Sequence, residues 1–326
     1  MEMFTFGVLT YNQENLVLET LESIKYQKKQ YGKEINVNLY IVDDASKDNT
    51  VNVVNTWIEN NREYFYQVDF NAKKSNCGTV TNYCELLEKI KNEDFKIIAG
   101  DDLIAKENLF LQYSDLDDKK LKTYFRLYLL NGTILYDEKM LIDFFYNSRH
   151  CKQYYRNLKS FRKGCFFHTP STIFRKPLFI NSNCKNELEG FRLFEDDPTW
   201  YAMLKNQKDI EIQFVESSIV LYRIHDKSVS NTINPVFQVE LDRLHEKYLK
   251  DTSGLEYIYW KFRESKKIPK YLRVDKYVDK ITYLKKVLYC RFNREYHMYK
   301  NVVEEYVKNE QQFYDGILNK IKKEEA

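Results

Sequence analysis

Near the start of the chain, three short apolar runs each break into polar residues and are followed by apolar residues at helical spacing. Phe4 to Leu9 gives way to TYNQEN and then to Val17, Leu21 and Ile24. Val37 to Val42 gives way to DDASKDNT, where Asp48 can cap a helix whose buried stripe is Val54, Trp57 and Ile58. Tyr64 to Val68 reads as a third strand, followed by NAKKSNCG and a helix with Val80, Tyr83, Leu87 and Ile90 on one face. A fourth run, Phe95 to Ala99, ends at Gly100, Asp101 and Asp102. Strands alternating with helices predict a parallel sheet, in which ligands gather beyond the carboxyl ends of the strands. Every polar loop named here falls at such an end.

After about residue 115 the pattern changes. TYFRLYLLNGTILY predicts a hairpin turning at Asn131-Gly132, and FFHTPSTIFRKPLF holds a further strand. A helix carrying Trp200, Met203 and Leu204 and a strand over Glu211 to Tyr222 complete the region. Beyond Pro235 only helix signals remain, beginning with Phe237, Leu241, Leu244 and Tyr248, so the core fold is expected to end near 235.

Length, 326 residues, allows one large α/β domain with an extension. A formal charge of +3 is too small for wholesale nucleic-acid binding, but residues 261–300 hold 13 basic and 4 acidic residues, so the excess is local. Cysteines 77, 84, 151, 165, 184 and 290 form no CxxC pair and no zinc-ligand spacing. No apolar run approaches the ~18 residues of a membrane span, and the first residues do not resemble a secretory leader, which together predict a reducing, cytoplasmic setting. There is no G-x-G-x-x-G or P-loop sequence among only nine glycines, so dinucleotide and ATP phosphate cradles are disfavoured.

Chemistry concentrates in acidic pairs. Asp117/Asp118 follows no apolar strand and sits among lysines, which is how a solvated loop reads. Asp43/Asp44 and Asp101/Asp102 instead follow strands and should share one sheet edge. Bringing them together costs electrostatic energy unless donors or a cation compensate, and carboxylates are natural ligands for Mg²⁺ or Mn²⁺. Helix capping is the rival reading for Asp101/Asp102, and for Asp43/Asp44 alone it is as good as a functional one. Gly100 is expected to leave room for a close ligand. Glu195 and Asp196 precede Pro198, which can start a helix; a carboxylate at that N-terminus should stay ionised and could serve as a general base, or merely complement the helix dipole. His225 follows an apolar strand and fits a mixed oxygen/nitrogen metal site, although a lone histidine is more often structural. His168 is a weaker candidate, near an acceptor.

In order and approximate spacing, FGVLTYNQENLVLETLESI, LYIVDDASKDNT, NCGTVTNYCELL, IIAGDDLI, FEDDPTW and YRIHDKSVS resemble the inverting family-2 glycosyltransferases of GT-A fold common in bacterial surface-polysaccharide pathways. The resemblance covers about residues 4 to 231 and implies an α/β fold, a Rossmann-like sandwich around a mostly parallel sheet, with a C-terminal helical extension. It implies a catalytic domain over 1–235, with a nucleotide-sugar half to about 115 and an acceptor half beyond, and a helical region over 236–326. It places nucleotide-sugar binding on Thr10, Tyr11, Asn12, Asp43, Asp44, Asn76, Gly78 and Asp101. Mn²⁺ or Mg²⁺ falls to Asp102 and His225, and the base to Asp196 with Glu195 beside it. Two departures stand out: the acidic motif is GDD without the separated D-x-D form, and GTVTNYC lacks an arginine often found in the helix after the third strand.

The expected activity is transfer of a hexosyl or N-acetylhexosaminyl group from a nucleotide-diphosphate sugar, UDP-linked, to a hydroxyl of a glycan, lipid-linked or protein-linked acceptor. A metal-dependent nucleotidyltransferase could use the same carboxylates, but TYNQENL is not its Gly-rich, lysine-bearing loop. A non-catalytic partner subunit would be marked by lost acidic motifs, and these are intact. The run KFRESKKIPKYLRVDKYVDKITYLKKVLYCRFNR mixes basic with aromatic and aliphatic residues. It suits either an anionic surface at the inner face of the plasma membrane or, the reading favoured here, a bundle packed on the catalytic domain or on a second copy.

Overall fold

The computed structural model describes residues 2–91, 93–113, 120–150, 158–159, 161–162, 168–207, 209–225, 234–264 and 274–324. Asp117/Asp118, Cys151, Cys165, positions 226–230 and the 265–273 part of the basic run lie outside these residues.

The strands are β1 (Met3–Thr10), β2 (Asn36–Asp43), β3 (Gln67–Ala72), β4 (Asp94–Ala99), β5 (Leu103–Ile104), β6 (Lys120–Tyr124), β7 (Leu127–Leu130), β8 (Thr133–Leu135), β9 (Thr172–Arg175), β10 (Glu211–Val215) and β11 (Val220–Ile224). Helices before the middle of the chain are α1 (Val17–Gln30), α2 (Thr50–Asn61), α3 (Thr79–Lys89), α4 (Leu109–Tyr113) and α5 (Glu138–His150). They are followed by α6 (Lys176–Asn181), α7 (Cys184–Leu188), α8 (Asp196–Asn206), α9 (Pro235–Lys250), α10 (Gly254–Glu264), α11 (Val274–Arg291) and α12 (Arg294–Glu324).

A central sheet has the order β10-β6-β9-β4-β1-β2-β3, parallel at every pairing except those of β9, which runs antiparallel to β4 and β6. Register aligns Thr10 with Asp43 and Leu9 with Ala99, so the loops after β1, β2 and β4 emerge together at one edge. A second sheet, β5-β11-β7-β8, lies beyond that edge; its antiparallel β5–β11 pairing places Arg223 and His225 beside the aspartates that precede β5.

Alternation along β1 sorts the layers. Phe4, Phe6 and Val8 are fully buried on one face with Val17, Leu21 and Ile24 of α1 and Val54 of α2. Gly7 points to the other face, where a Cβ would stand 3.0 Å from both Ile97 Cγ1 and Leu86 Cδ1, so its lack of a side chain lets α3 seat closely on the sheet. The Asn131-Gly132 turn has positive φ at both residues, 49° and 80°, as a two-residue hairpin turn of primed type requires.

Two expected strands differ. The third occupies Gln67–Ala72 instead of Tyr64 to Val68, because α2 tightens into a 3₁₀ turn at Arg62–Tyr64 and Phe65 turns inward against Trp57. The strand over Glu211 to Tyr222 is two: the chain leaves the central sheet at Val215 and joins the second at Val220, the backbone between them being taken by Phe125 and Ala105.

Residues beyond 235 are packed into the same cores. Leu244, Tyr248 and Trp260 join Phe95, Phe174 and Trp200, while Tyr299, Val303, Tyr314 and Ile317 join Leu127, Leu129 and Leu221. Full burial of such side chains contributes roughly 1.5–3 kcal/mol each. Buried Glu22 of α1 adds a polar tie, accepting from Trp57 Nε1 at 2.7 Å and ion-pairing with Lys25 and with Lys320 of α12. Among the described residues no helix is long and apolar enough to cross a membrane.

Candidate active site

β4 ends in a turn in which the Asp102 amide donates to Ala99 O at 3.1 Å, so the two aspartates project from the sheet edge. Arg223 of β11 organises both: its backbone N–H donates to Asp102 Oδ1 at 2.8 Å and its Nε to Asp101 O at 2.7 Å, while its guanidinium ion-pairs with Glu19. Asp101 Oδ2 lies 2.8 Å from His225 Nε2. Asp102 Oδ2 is buried with no hydrogen-bond partner. Burial, with repulsion from Asp101 second, holds the Asp102 carboxyl well above the usual range.

These residues fit a divalent ion in donor type, two carboxylates and an imidazole, and the orphaned Asp102 oxygen is the kind of atom a cation would satisfy. Among the described residues no three His, Cys, Asp or Glu side chains already converge at ligating distance. Asp101 is the more accessible aspartate and holds the His225 contact, while Asp102 is only 1% exposed. Gly100 does not leave room for a ligand as expected: a Cβ there would stand 2.5 Å from Gln13 Oε1 and 2.7 Å from Thr10 Cγ2. Its smallness lets the loop after β1 close on the acidic turn.

The expected nucleotide-sugar residues form one hydrogen-bonded edge. Thr10 Oγ1 donates to Asp43 Oδ2 at 2.9 Å, and Ser46 donates to the same carboxylate through its amide and its hydroxyl. Asn12, at φ 52°, donates its amide to Ser46 Oγ and accepts from the Lys47 amide. The Asp44 carboxylate is wrapped by the amides of Cys77 at 2.7 Å and Gly78 at 3.0 Å, and Asn76 Nδ2 donates to Asp44 O at 3.4 Å. Gly78 has φ 88°, and a Cβ there would meet the Arg192 carbonyl oxygen at 2.6 Å, which no larger residue tolerates. Asp43 and Asp44 are thus buried organisers of the loops around them, while Tyr11, Asn12 and Asn76 are exposed.

The ED motif opens α8 two residues earlier than Pro198 suggested: Glu195 is the N-cap and Asp196 the first helical residue. Burial raises the Asp196 carboxyl above its ordinary value, opposed by the Thr169 hydroxyl, Arg126 and Lys96. Glu195 is raised further, by burial and then by Asp196. Burial thus makes Asp196 a more basic carboxyl than an exposed aspartate.

Four contributors carry no motif. Lys96, fully buried in β4, donates to Ile97 O at 3.2 Å and Thr169 O at 3.0 Å, and its charge acts on Asp102 and Asp196 alike. Arg126 lies over the Tyr128 and Tyr222 rings, acts on the same two aspartates, and has a buried Nε with no partner. Arg192 Nη2 donates to Asn76 Oδ1 at 2.6 Å, bringing a guanidinium to the loop before α3. Glu240 of α9 accepts the amides of Arg192, Leu193 and Phe194, fixing the approach to Glu195. A lysine inside an apolar run, KIIAGDD, was the one legible signal among these. His168 sits beside the same group, its imidazole pushed well below the usual range by burial and by Arg126, with Nε2 unpartnered.

A strand-borne acidic pair and a helix-borne acidic pair thus feel the same two cations, Arg126 and Lys96. The sequence profile described as glycosyl transferase family 2 matches residues 5–181, more than half of the chain. The chain belongs to glycosyl transferase family 2. No curated protein matches it in sequence. Among solved structures, S. aureus TarS residues 1–349 in complex with UDP-GlcNAc is similar, with TM-score 0.54 and 16% identity, covering 97% of this chain and 92% of that one. The complex of the same TarS residues with UDP gives TM-score 0.51 at 16% identity, covering 80% and 69%. A further TarS structure gives 0.52 at 15% identity, covering 88% of this chain and 49% of that one. At such identities the likeness shows the fold, which in this family-2 glycosyltransferase is GT-A.

Proposed function

We propose that this glycosyltransferase moves a hexosyl or N-acetylhexosaminyl group from a UDP-linked donor to an acceptor hydroxyl with inversion at the anomeric carbon. The observation that carries the reading is the placement of Asp196 at the head of α8, linked through Lys96 and Arg126 to the Asp101/Asp102 turn. TarS, whose fold this chain shares, binds UDP and UDP-GlcNAc, which supports a UDP-linked donor.

Thr10, Tyr11, Asn12 and the loops held by Asp43, Asp44, Asn76 and Gly78 receive the nucleoside. Asp102, His225 and Asp101 would hold Mn²⁺ or Mg²⁺, which when bound neutralises charge on the leaving diphosphate. Asp196 accepts the proton of the acceptor hydroxyl as that oxygen attacks the anomeric carbon. The bond to the diphosphate oxygen breaks on the opposite face, and its electron pair leaves with UDP. Burial raises the Asp196 carboxyl above its ordinary value, which strengthens it as a base, with Arg126 and Lys96 opposing the shift. Glu195 shapes that balance from the adjoining position. The reading assigns catalysis to 1–235, support to 236–326, and the reaction to bacterial surface or protein-linked glycan synthesis on the cytoplasmic side of the membrane.

A panel of sugar nucleotides tests the reading. Metal-dependent release of UDP from at least one UDP-sugar is expected; pyrophosphate release from a nucleoside triphosphate, or binding without turnover across the panel, would contradict it.

A further inference from the structure

The C-terminal helices present two unlike faces. The inner face of α11 is packed: Lys286 ion-pairs with Asp143 of α5 at 2.8 Å, Cys290 Sγ approaches Ile142 O, and Tyr283 and Val287 lie against the core. On the outer face, Tyr277, Ile281, Leu284 and Leu288 recur at i, i+4, i+7 and i+11, with Phe292 just beyond the helix, and they are between 46% and 81% exposed. Scattered exposed apolar residues need no explanation, but a full stripe along one helix does.

Charge around the stripe has one sign. Lys276, Lys280, Lys285 and Arg291 are exposed beside it. The two acidic residues of α11 are turned away, Asp275 being buried and Asp279 accepting from Tyr259 Oη at 2.7 Å with Arg263 nearby. An apolar stripe edged by lysines is the arrangement of a helix lying in a membrane interface: the apolar side chains enter the acyl boundary and the lysines reach the headgroup phosphates. A second copy of this chain fits less well. Pairing α11 with itself would set these cations against one another, with no acidic residue of the helix on that face to meet them.

We propose that the outer face of α11 docks this protein on an anionic lipid bilayer. The contact rests on surface chemistry, independent of which sugar is transferred, and it would bring the enzyme to acceptors held at that surface.

Co-sedimentation of the full chain with vesicles of phosphatidylglycerol and phosphatidylcholine, or of phosphatidylcholine alone, tests this at low and high salt. Binding to the anionic vesicles alone, weakened by salt, is expected. I281E/L284E should abolish it, and K280E/K285E should lower partition at least tenfold, because each basic residue near an anionic surface contributes several-fold in affinity. Unchanged thermal unfolding of both variants would show that the inner face still packs. No binding at low salt, equal binding to neutral vesicles, or binding that survives both double substitutions would overturn the proposal. So would a wild-type dimer in sedimentation that I281E/L284E converts to monomer, since the second copy would then be the occupant.

Discussion

Glu240 of α9 accepts the backbone N–H of Phe194 at 3.0 Å, immediately before the ED motif. The same carboxylate takes the amides of Leu193 and Arg192, so one buried side chain fixes three successive peptides leading to Asp196. Removing it leaves buried donors unpaired, at about 1–3 kcal/mol each if no water replaces it. Glu240→Ala is expected to lower Tm by several degrees and to reduce kcat more than it changes donor KM. Glu240→Gln, which keeps one accepting oxygen, should recover much of the stability. Steady-state kinetics beside thermal unfolding checks this, and an unchanged kcat in a destabilised Glu240→Ala would separate the helix from the base.

Lys96 is a buried cation on the central strand, its ammonium depressed to about 7 by desolvation. Its charge faces Asp102 and Asp196 and its ammonium donates to two buried carbonyls, and removing one partner of a buried charge group destabilises by ~3–5 kcal/mol. Lys96→Met should therefore lower Tm and, in the protein that still folds, lower transfer at least tenfold, because the positive charge acting on Asp102 and Asp196 is lost. Loss of fold without the substitution's kinetic effect in residual protein would contradict the assignment.

Glu310 of α12 accepts the Lys106 amide through both oxygens, at 2.9 and 3.1 Å, just after the acidic turn and β5. Burial pushes its carboxyl up to about 7 from the usual 4.5. The folded protein then binds more protons than the unfolded chain between those values. Its contribution is full below 4.5 and is lost as pH rises through 7, by at most about 3 kcal/mol. Unfolding measured at pH 5 and pH 8 should show that loss, and Glu310→Gln should flatten the slope. An identical slope in the variant would place the titration elsewhere.

Much of the edge proposed to receive the nucleotide was legible because its signals are local. Apolar runs ending in Thr10, Asp43 and Gly100 lie at one sheet edge, as alternation with helices implied, and His225 meets Asp101. A local signal misled where a tertiary contact competed: Phe65 turned to Trp57 and shifted β3. Arg126, Arg192 and Glu240 were invisible for a different reason. Arg192 reaches Asn76 across 116 residues, Arg126 acts on Asp196 from a short turn between two strands, and Glu240 lies in a helix of ordinary composition that no spacing connects with Phe194. Lys96 was the exception, a charge inside an apolar strand that could have been questioned from the sequence. The basic tail resolved into two faces of one helix, which its composition could not separate.

The central claim is that Asp196 removes the acceptor proton in a site assembled around Asp101 and Asp102. Donor binding by calorimetry and transfer by UDP release, measured on Asp196→Asn with Mn²⁺ present, test it together. The substitution is nearly isosteric and removes the base, so donor affinity should stay within about threefold while kcat falls by about 10²–10⁴. Near-wild-type transfer by Asp196→Asn with normal donor binding would contradict the account.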